Sequence, residues 1–302
     1  ASIMKSQENH SIKQTDYRKN IYEAMNFISQ NVDRELTLAE VANTASFSPF
    51  HFHRIFKAVV GENVAEFTRR LRLELAANRL LAYPHQEVTS IALSCGFSSS
   101  QNFARVFRQS FDLSPSEYRQ KNNNRPRNPI NTLENMTISP GNKDKQLLKQ
   151  VSIQEMSETR AATVRRIGMD RESCLSGFAE LFAWVSQKAV SGSSTLLAMY
   201  WDNPEITPIE KCRFDCCLTL SNDTDVHDPL FMQTIGGGIW AFCRFEIESR
   251  DFRAAWEEAF QWLVESGYEC RPLPCCEIYH NNGLEHPEGK WIIDIAIPLM
   301  QS

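Results

Sequence analysis

The 302-residue chain predicts an all-α double helix-turn-helix domain followed by an α+β domain built of two β-α-β-β units. Two runs, Leu36 to Phe56 and Val88 to Phe107, each spell two short amphipathic helices around a tight turn. Between them, the nineteen residues from Val64 to Ala82 hold a helical pattern without a break until Pro84. After residue 150 the periodicity changes to strand, helix, strand, strand, and that order occurs twice.

Ile21, Ala24, Met25, Ile28 and Val32 recur at helical spacing, so an opening amphipathic helix can cover the first unit. Thr37 and Glu40 form a capping box for the next helix. Ser48-Pro49 opens the second helix of that unit, with Pro at a position where its missing N–H costs nothing, and Gly61 ends it. Phe52, Ile55, Phe56 and Val59 turn inward, which leaves Phe50, His53, Arg54 and Lys57 on the outer face. The middle helix is a rod of about 28 Å at roughly 1.5 Å per residue. That is close to the roughly 34 Å turn of B-DNA, so one chain can set two helices in successive major grooves.

In the second unit Ile91, Ala92 and Cys95 share a face, and Gly96 breaks the helix. Ser98 with Gln101 reads as the capping box of the following helix. Phe103, Val106 and Phe107 turn inward there, so Asn102, Arg105 and Gln109 face solvent with the donors and acceptors that read base edges. Ser114-Pro115 with Glu117 caps a last helix near Lys121. Asn122 to Asn131 is rich in Asn and Pro and reads as a linker whose far boundary lies near Lys149. The expected organisation is therefore a DNA-binding domain over 12–121, a linker over 122–149 and a second domain over 150–302.

In the second domain Thr159 to Ile167 reads as a strand, Glu172 to Val190 as a helix, and Thr195 to Trp201 and Arg213 to Leu220 as strands. Gly238 to Ile247, Arg250 to Ser266, Pro274 to Tyr279 and Lys290 to Leu299 repeat the order. The hollow where two such halves meet is a natural place for a small ligand.

Charge separates the halves. Residues 12–122 carry 14 basic against 11 acidic side chains, and 123–149 carry five against two. From residue 150 to the end, 12 basic side chains face 23 acidic ones, so only the first half suits phosphates. No apolar run is long enough for a membrane span or a signal peptide, and the expected location is the cytoplasm. The nine cysteines fit a reducing compartment, and all but Cys95 lie at or beyond Cys174. Neighbours such as Cys216-Cys217 and Cys275-Cys276 point to opposite faces of a strand and make poor ligand pairs, so no metal or cofactor is expected.

The stretch from Leu36 to Arg119, with IALSCGF, FARVFRQSF and SPSEYR, resembles the double helix-turn-helix domain of AraC/XylS transcription regulators. The second half, with WEEAFQWLVESGYE, EIYHNN and WIIDIAIPL, resembles the GyrI-like effector-binding domain of multidrug-sensing regulators. The domain order is similar to the right-origin-binding subgroup. The resemblance implies base-edge contacts from Phe50, His53 and Arg54 in the first recognition helix and from Ser100, Gln101, Asn102 and Arg105 in the second. It also implies that Glu277 of the EIY motif lies in an effector pocket for cationic lipophilic ligands. Double-stranded promoter DNA, a small-molecule effector and RNA polymerase are the partners it implies.

Each residue also has a structural reading. Gln101 serves as a cap or as a reader, and His53 is solvated or touches a base. Asn102 and Arg105 have no comparable local task. Strand alternation puts Glu277 with Cys275 and Tyr279 on one face, exposed to solvent or facing a pocket. Trp240, Phe242, Trp256, Trp262 and Trp291 either line that pocket or pack in a core. The expected activity is regulation without catalysis; the alternatives are a hydrolase using Glu277 as general base and a module that captures a protein partner.

Overall fold

The computed structural model describes residues 17–122, 146–188, 194–204, 206–220, 224–271 and 273–301, apart from the side chain of Phe50. The first described part is seven helices. Helix α1 (Arg18–Gln30) leads into α2 (Leu38–Thr44) and α3 (Pro49–Val60), the long α4 (Val64–Ala82) follows, and α5 (Val88–Ser94), α6 (Ser100–Phe111) and α7 (Pro115–Asn122) complete the second unit.

Helix α4 has the predicted bounds because its ends are signalled locally. Asn63 and Glu66 exchange hydrogen bonds in a capping box of 2.9 Å each way, and the pattern runs on until Pro84. Gly61 closes α3 in the left-handed conformation at φ 83°. Thr37 accepts from the Glu40 N–H, but the Glu40 carboxylate pairs with Arg34, so only half of that predicted box forms. The box predicted at Ser98 and Gln101 is displaced by one residue: Ser99 is the N-cap and accepts from the Asn102 N–H at 3.2 Å. Three consecutive serines offer the cap at adjacent positions, and the one that lets Phe103 and Phe107 enter the core prevails. Gln101 is thereby released from a capping role and is exposed.

Two aromatic cores hold the units. Phe52, Phe56 and Phe67 are fully buried against Ile21, Met25 and Val41 in the first. Phe103 and Phe107 pack with Leu80, Ile91 and Phe97 in the second. Each such phenylalanine contributes about 1.5–3 kcal/mol of burial. Because α4 contributes Phe67 and Leu71 to one core and Ala76, Ala77 and Leu80 to the other, it fixes the two units relative to each other.

The second part is one antiparallel sheet of eight strands. They are β1 (Leu148–Glu155), β2 (Thr159–Ile167), β3 (Leu196–Tyr200), β4 (Arg213–Leu220), β5 (Phe231–Ile235), β6 (Ile239–Glu248), β7 (Cys275–Tyr279) and β8 (Lys290–Pro298). Helices α8 (Arg171–Val185) and α9 (Phe252–Ser266) complete two β-α-β-β units, β2-α8-β3-β4 and β6-α9-β7-β8. Helix α8 is shorter than predicted and ends at Val185. The order across the sheet is β1-β6-β8-β7-β3-β4-β2-β5, so β7 and β3 meet at the centre.

Strands β1 and β5 go beyond the two predicted units. Leu148 and Lys149, expected in the linker, begin β1, and residues 123–145 of that linker lie outside the described residues. Each of these strands sits at an edge of the sheet, where a mixed sequence with little alternation suffices because only one neighbour must be matched.

The two faces of the sheet have different covers. Helices α8 and α9 pack on one face, with Trp256, Leu181 and Phe214 in its cores. The other face meets the helical domain: Phe231 of β5 joins the core of α1, its ring 5.6 Å from Tyr22. Asn203 bonds Asn78 of α4, and Glu269 bonds the Tyr83 hydroxyl just beyond α4.

Candidate effector and DNA-binding sites

On the helical domain, His53, Arg54 and Lys57 are exposed along α3, as are Gln101 and Arg105 along α6, while Ser100 and Asn102 are half-buried. Phe50 belongs to α3, and its side chain lies outside the described residues. Arg105 donates to Asn102 Oδ1 at 3.0 Å, so the two predicted readers of α6 hold each other in one orientation. A groove of about 970 Å³ runs between the units, and His53, Asn102, Arg105 and Arg69 line it. The structure thus brings three of the predicted contact residues, His53 of the first unit and Asn102 and Arg105 of the second, to one groove along α4.

Glu277 lies on β7 at the centre of the sheet and is 2% exposed. Strand alternation puts it on one face with Tyr279, as predicted, and the structure shows that this is the face covered by α8 and α9, opposite Ala198 of β3 and Ile295 of β8. Trp256 of α9 donates its indole N–H to Oε1 at 2.5 Å, and the Tyr279 hydroxyl donates to Oε2 at 2.7 Å. The Tyr200 hydroxyl is a third donor. Burial pushes the Glu277 carboxyl above its ordinary range, and the bonds from Tyr279, Trp256 and Tyr200 pull the other way. All three donors are neutral.

Around this carboxylate the aromatic rings meet edge to face. Tyr200 lies 5.2 Å from Trp256 and 5.2 Å from Phe214. Tyr279 lies 5.9 Å from Phe178 of α8 and 6.0 Å from Trp291. The box therefore draws on both halves of the domain, and it is closed: the expected hollow is filled by Trp256 and the tyrosines. Trp256, Trp291 and Tyr279 are in it, as expected.

Trp240 and Phe242 are not. Both project from β6 to the opposite face, where Trp240 packs with Leu197, Met199 and Cys276. The register decides this, since Cys243 is level with Ile295 and hence with Glu277, so the even-numbered β6 positions fall on the other side. Trp262 of α9 stacks with Tyr268 at a ring separation of 6.0 Å. The residues that sequence reading missed are Tyr200 and Phe178. Tyr200 had a visible signal, an aromatic residue at the end of a predicted strand, but only the β3–β7 pairing shows that it reaches Glu277.

Residues 149–300, half of the chain, match the GyrI-like small molecule binding domain. The chain belongs to the GyrI-like family. Residues 41–121 match a helix-turn-helix domain, which here is of the AraC type. A DNA gyrase inhibitor of Salmonella typhimurium is 30% identical over 153 residues, 49% of this chain and 97% of that protein. An uncharacterized HTH-type transcriptional regulator of Bacillus subtilis, YbfP, is 37% identical over 103 residues, 34% of this chain and 35% of its own length. Among solved structures, the EcmrR C-terminal domain is similar at a TM-score of 0.45 and 15% identity, over 51% of this chain and 98% of that one. In this GyrI-like chain the small-molecule domain follows an AraC-type DNA-binding domain, which makes it a DNA-binding regulator that senses an effector. No helix among the described residues is long and apolar enough to cross a membrane.

Proposed function

We propose that this regulator reads a promoter site through α3 and α6 and that its effector is a cationic or amphipathic small molecule bound at Glu277. The observation that carries the effector class is a buried carboxylate held by three neutral donors and ringed by aromatic side chains. A carboxylate in that setting is stabilised most by a ligand that brings positive charge, and Trp256, Tyr279 and Trp291 offer ring faces to the same ligand. The ligand must displace or part the rings that now close the site. His53, Arg54, Lys57, Ser100, Gln101, Asn102, Arg105 and Phe50 are the proposed DNA contacts, with Arg105 and Asn102 as base readers. A DNA-binding domain from residue 12 to the end of α7 and an effector domain that opens with β1 belong to the same reading. So does action in the cytoplasm, where a chain bound beside a promoter is placed to touch RNA polymerase.

The test is enrichment of bound sequences from a random duplex library by the full chain, with and without aryl ammonium ligands. A recovered motif with two half-sites about one helical turn apart, bound less tightly as salt rises, is the expected result. Recovery of no motif, or cation binding no tighter than that of a neutral carbon isostere, would reject the respective half of the reading.

A further inference from the structure

Two arginines of the sheet domain reach helix α1, and both are buried. Arg165 of β2 donates to Asn26 Oδ1 at 2.8 Å and to the Tyr22 carbonyl at 3.4 Å. Arg213 of β4 donates to Ser29 Oγ at 2.6 Å. Each is held from behind by its own carboxylate. Asp215 takes Arg165 in a two-pronged pair at 2.6 and 2.7 Å, and Asp202 takes Arg213 at 2.6 and 2.8 Å. Both guanidinium groups lie over the ring of Trp201, Arg165 at 4.9 Å and Arg213 at 5.3 Å, and its indole N–H donates to Asp215 Oδ2 at 2.7 Å. Trp201 therefore touches both arginines that reach α1 from this sheet face, where Phe231 also packs on Tyr22.

Trp201 is also the residue next to Tyr200. Strand alternation places Tyr200 on the Glu277 side of the sheet, against Trp256 and Phe214, and Trp201 on the α1 side. The partner strand does the same: Phe214, paired with Tyr200, is flanked by Arg213 and Asp215. A change in the seat of Tyr200, such as losing Glu277 as its acceptor, displaces a backbone whose next two side chains, Trp201 and Asp202, set the two arginines. Resting on the reading that Glu277 receives the effector, we propose that Trp201 is a positioning residue that transmits the state of the Glu277 box to helix α1, and through α1 to the first helix-turn-helix unit. The element that responds is the docking of α1 on the sheet, which both the box and the first unit can bias.

The experiment is hydrogen exchange of the full chain, read at the α1 amides of Ile21 to Gln30. It compares wild type with Glu277→Gln, Trp201→Phe, Trp201→Leu and the doubles, with α6 amides as the control for general loosening. Glu277→Gln is expected to change α1 exchange at least threefold while α6 holds still. Adding Trp201→Leu should abolish that response. Trp201→Phe, which keeps an aromatic ring beside the arginines and loses the indole N–H, should leave part of it and serves as the test if the leucine variant does not fold. An α1 response of equal size with and without Trp201, or no α1 response to Glu277→Gln, overturns the relay. Titration of benzyltrimethylammonium into wild type is read separately. If it does not bind while the exchange coupling holds, the effector reading falls and the relay stands; if it binds and the coupling is absent, the relay falls alone.

Discussion

Trp256 on helix α9 donates its indole N–H to Glu277 Oε1 on strand β7, 2.5 Å away, tying a surface-covering helix to the centre of the sheet. Burial disfavours charge on this carboxylate, and its donors, or a cation in their place, oppose that. Glu277→Gln keeps the shape and removes the charge. A quaternary aryl ammonium should lose far more affinity than its neutral isostere, by more than the roughly 0–1 kcal/mol of an exposed ion pair. Burial raises the Glu277 pKa, so affinity for a permanent cation should fall as pH drops while the carboxyl gains its proton, and the variant should lose that dependence. Calorimetric titration at several pH values reads both effects, and equal losses for the two ligands would place the effector site elsewhere.

Arg105 and Lys57 should separate reading from anchoring. Arg105→Ala removes a side chain already aligned by Asn102 and should cost about 1–3 kcal/mol on the selected site while relaxing base preference there. Lys57→Ala should weaken cognate and random duplexes alike if its ammonium meets phosphate. Fluorescence anisotropy on both kinds of duplex distinguishes the outcomes, and an equal loss on both for Arg105→Ala would remove it from the readers.

Glu74 gives the chain a pH-dependent stability. It is buried on α4, bonded to Arg70 at 2.8 Å, with Glu62, Asp202, Arg213 and Lys211 in the surrounding charge cluster. Burial, then the Asp202 charge, raises its pKa, and Arg70 opposes them. The folded state therefore holds the Glu74 proton more tightly than the unfolded chain. Its contribution is complete below the ordinary carboxylate value of 4.5 and is lost as pH rises through the raised one. Urea midpoints from pH 5 to 8 should decline for the wild type and decline less for Glu74→Gln; parallel curves would show that Glu74 stays ionised throughout.

Gly96→Ala should destabilise the second helix-turn-helix unit. Gly96 has φ 85°, and an added Cβ would stand 2.4 Å from the Val32 carbonyl oxygen and 2.7 Å from Arg72 Nε. The conformation alone costs about 1–3 kcal/mol for a residue with a side chain, and the backbone oxygen cannot swing away. Arg72 would also be driven off its 2.7 Å bond to that same carbonyl, which joins α4 to the end of α1. Thermal denaturation should show a clear loss, whereas Gly61→Ala, with open space around its Cβ, should show only the conformational penalty.

Local chemistry makes the helical domain legible in the amino-acid sequence. Asn63, Pro49, Gly61, Gly96, Ser114 and Pro115 act on backbone groups within a few residues of themselves, so each helix end can be read on its own. Strand alternation likewise puts Glu277 and Tyr279 on one face, because that depends on one strand alone.

What depends on two strands at once is not legible in this way. Trp240 and Phe242 are expected beside Glu277 from sequence, and only the β6–β8–β7 register shows that they lie on the other face, since a shift of one residue reverses every side chain. The edge strands β1 and β5, the third donor Tyr200 and the Arg165–Trp201–Arg213 stack against α1 belong to the same class. Sequence alone determined the helices, the cap at Ser114, the glycine end of α3 and the face of each residue within its own element. Tertiary structure decided which faces meet, because pairing between distant segments is set by the packing of the whole sheet and leaves no mark at a fixed spacing along the chain.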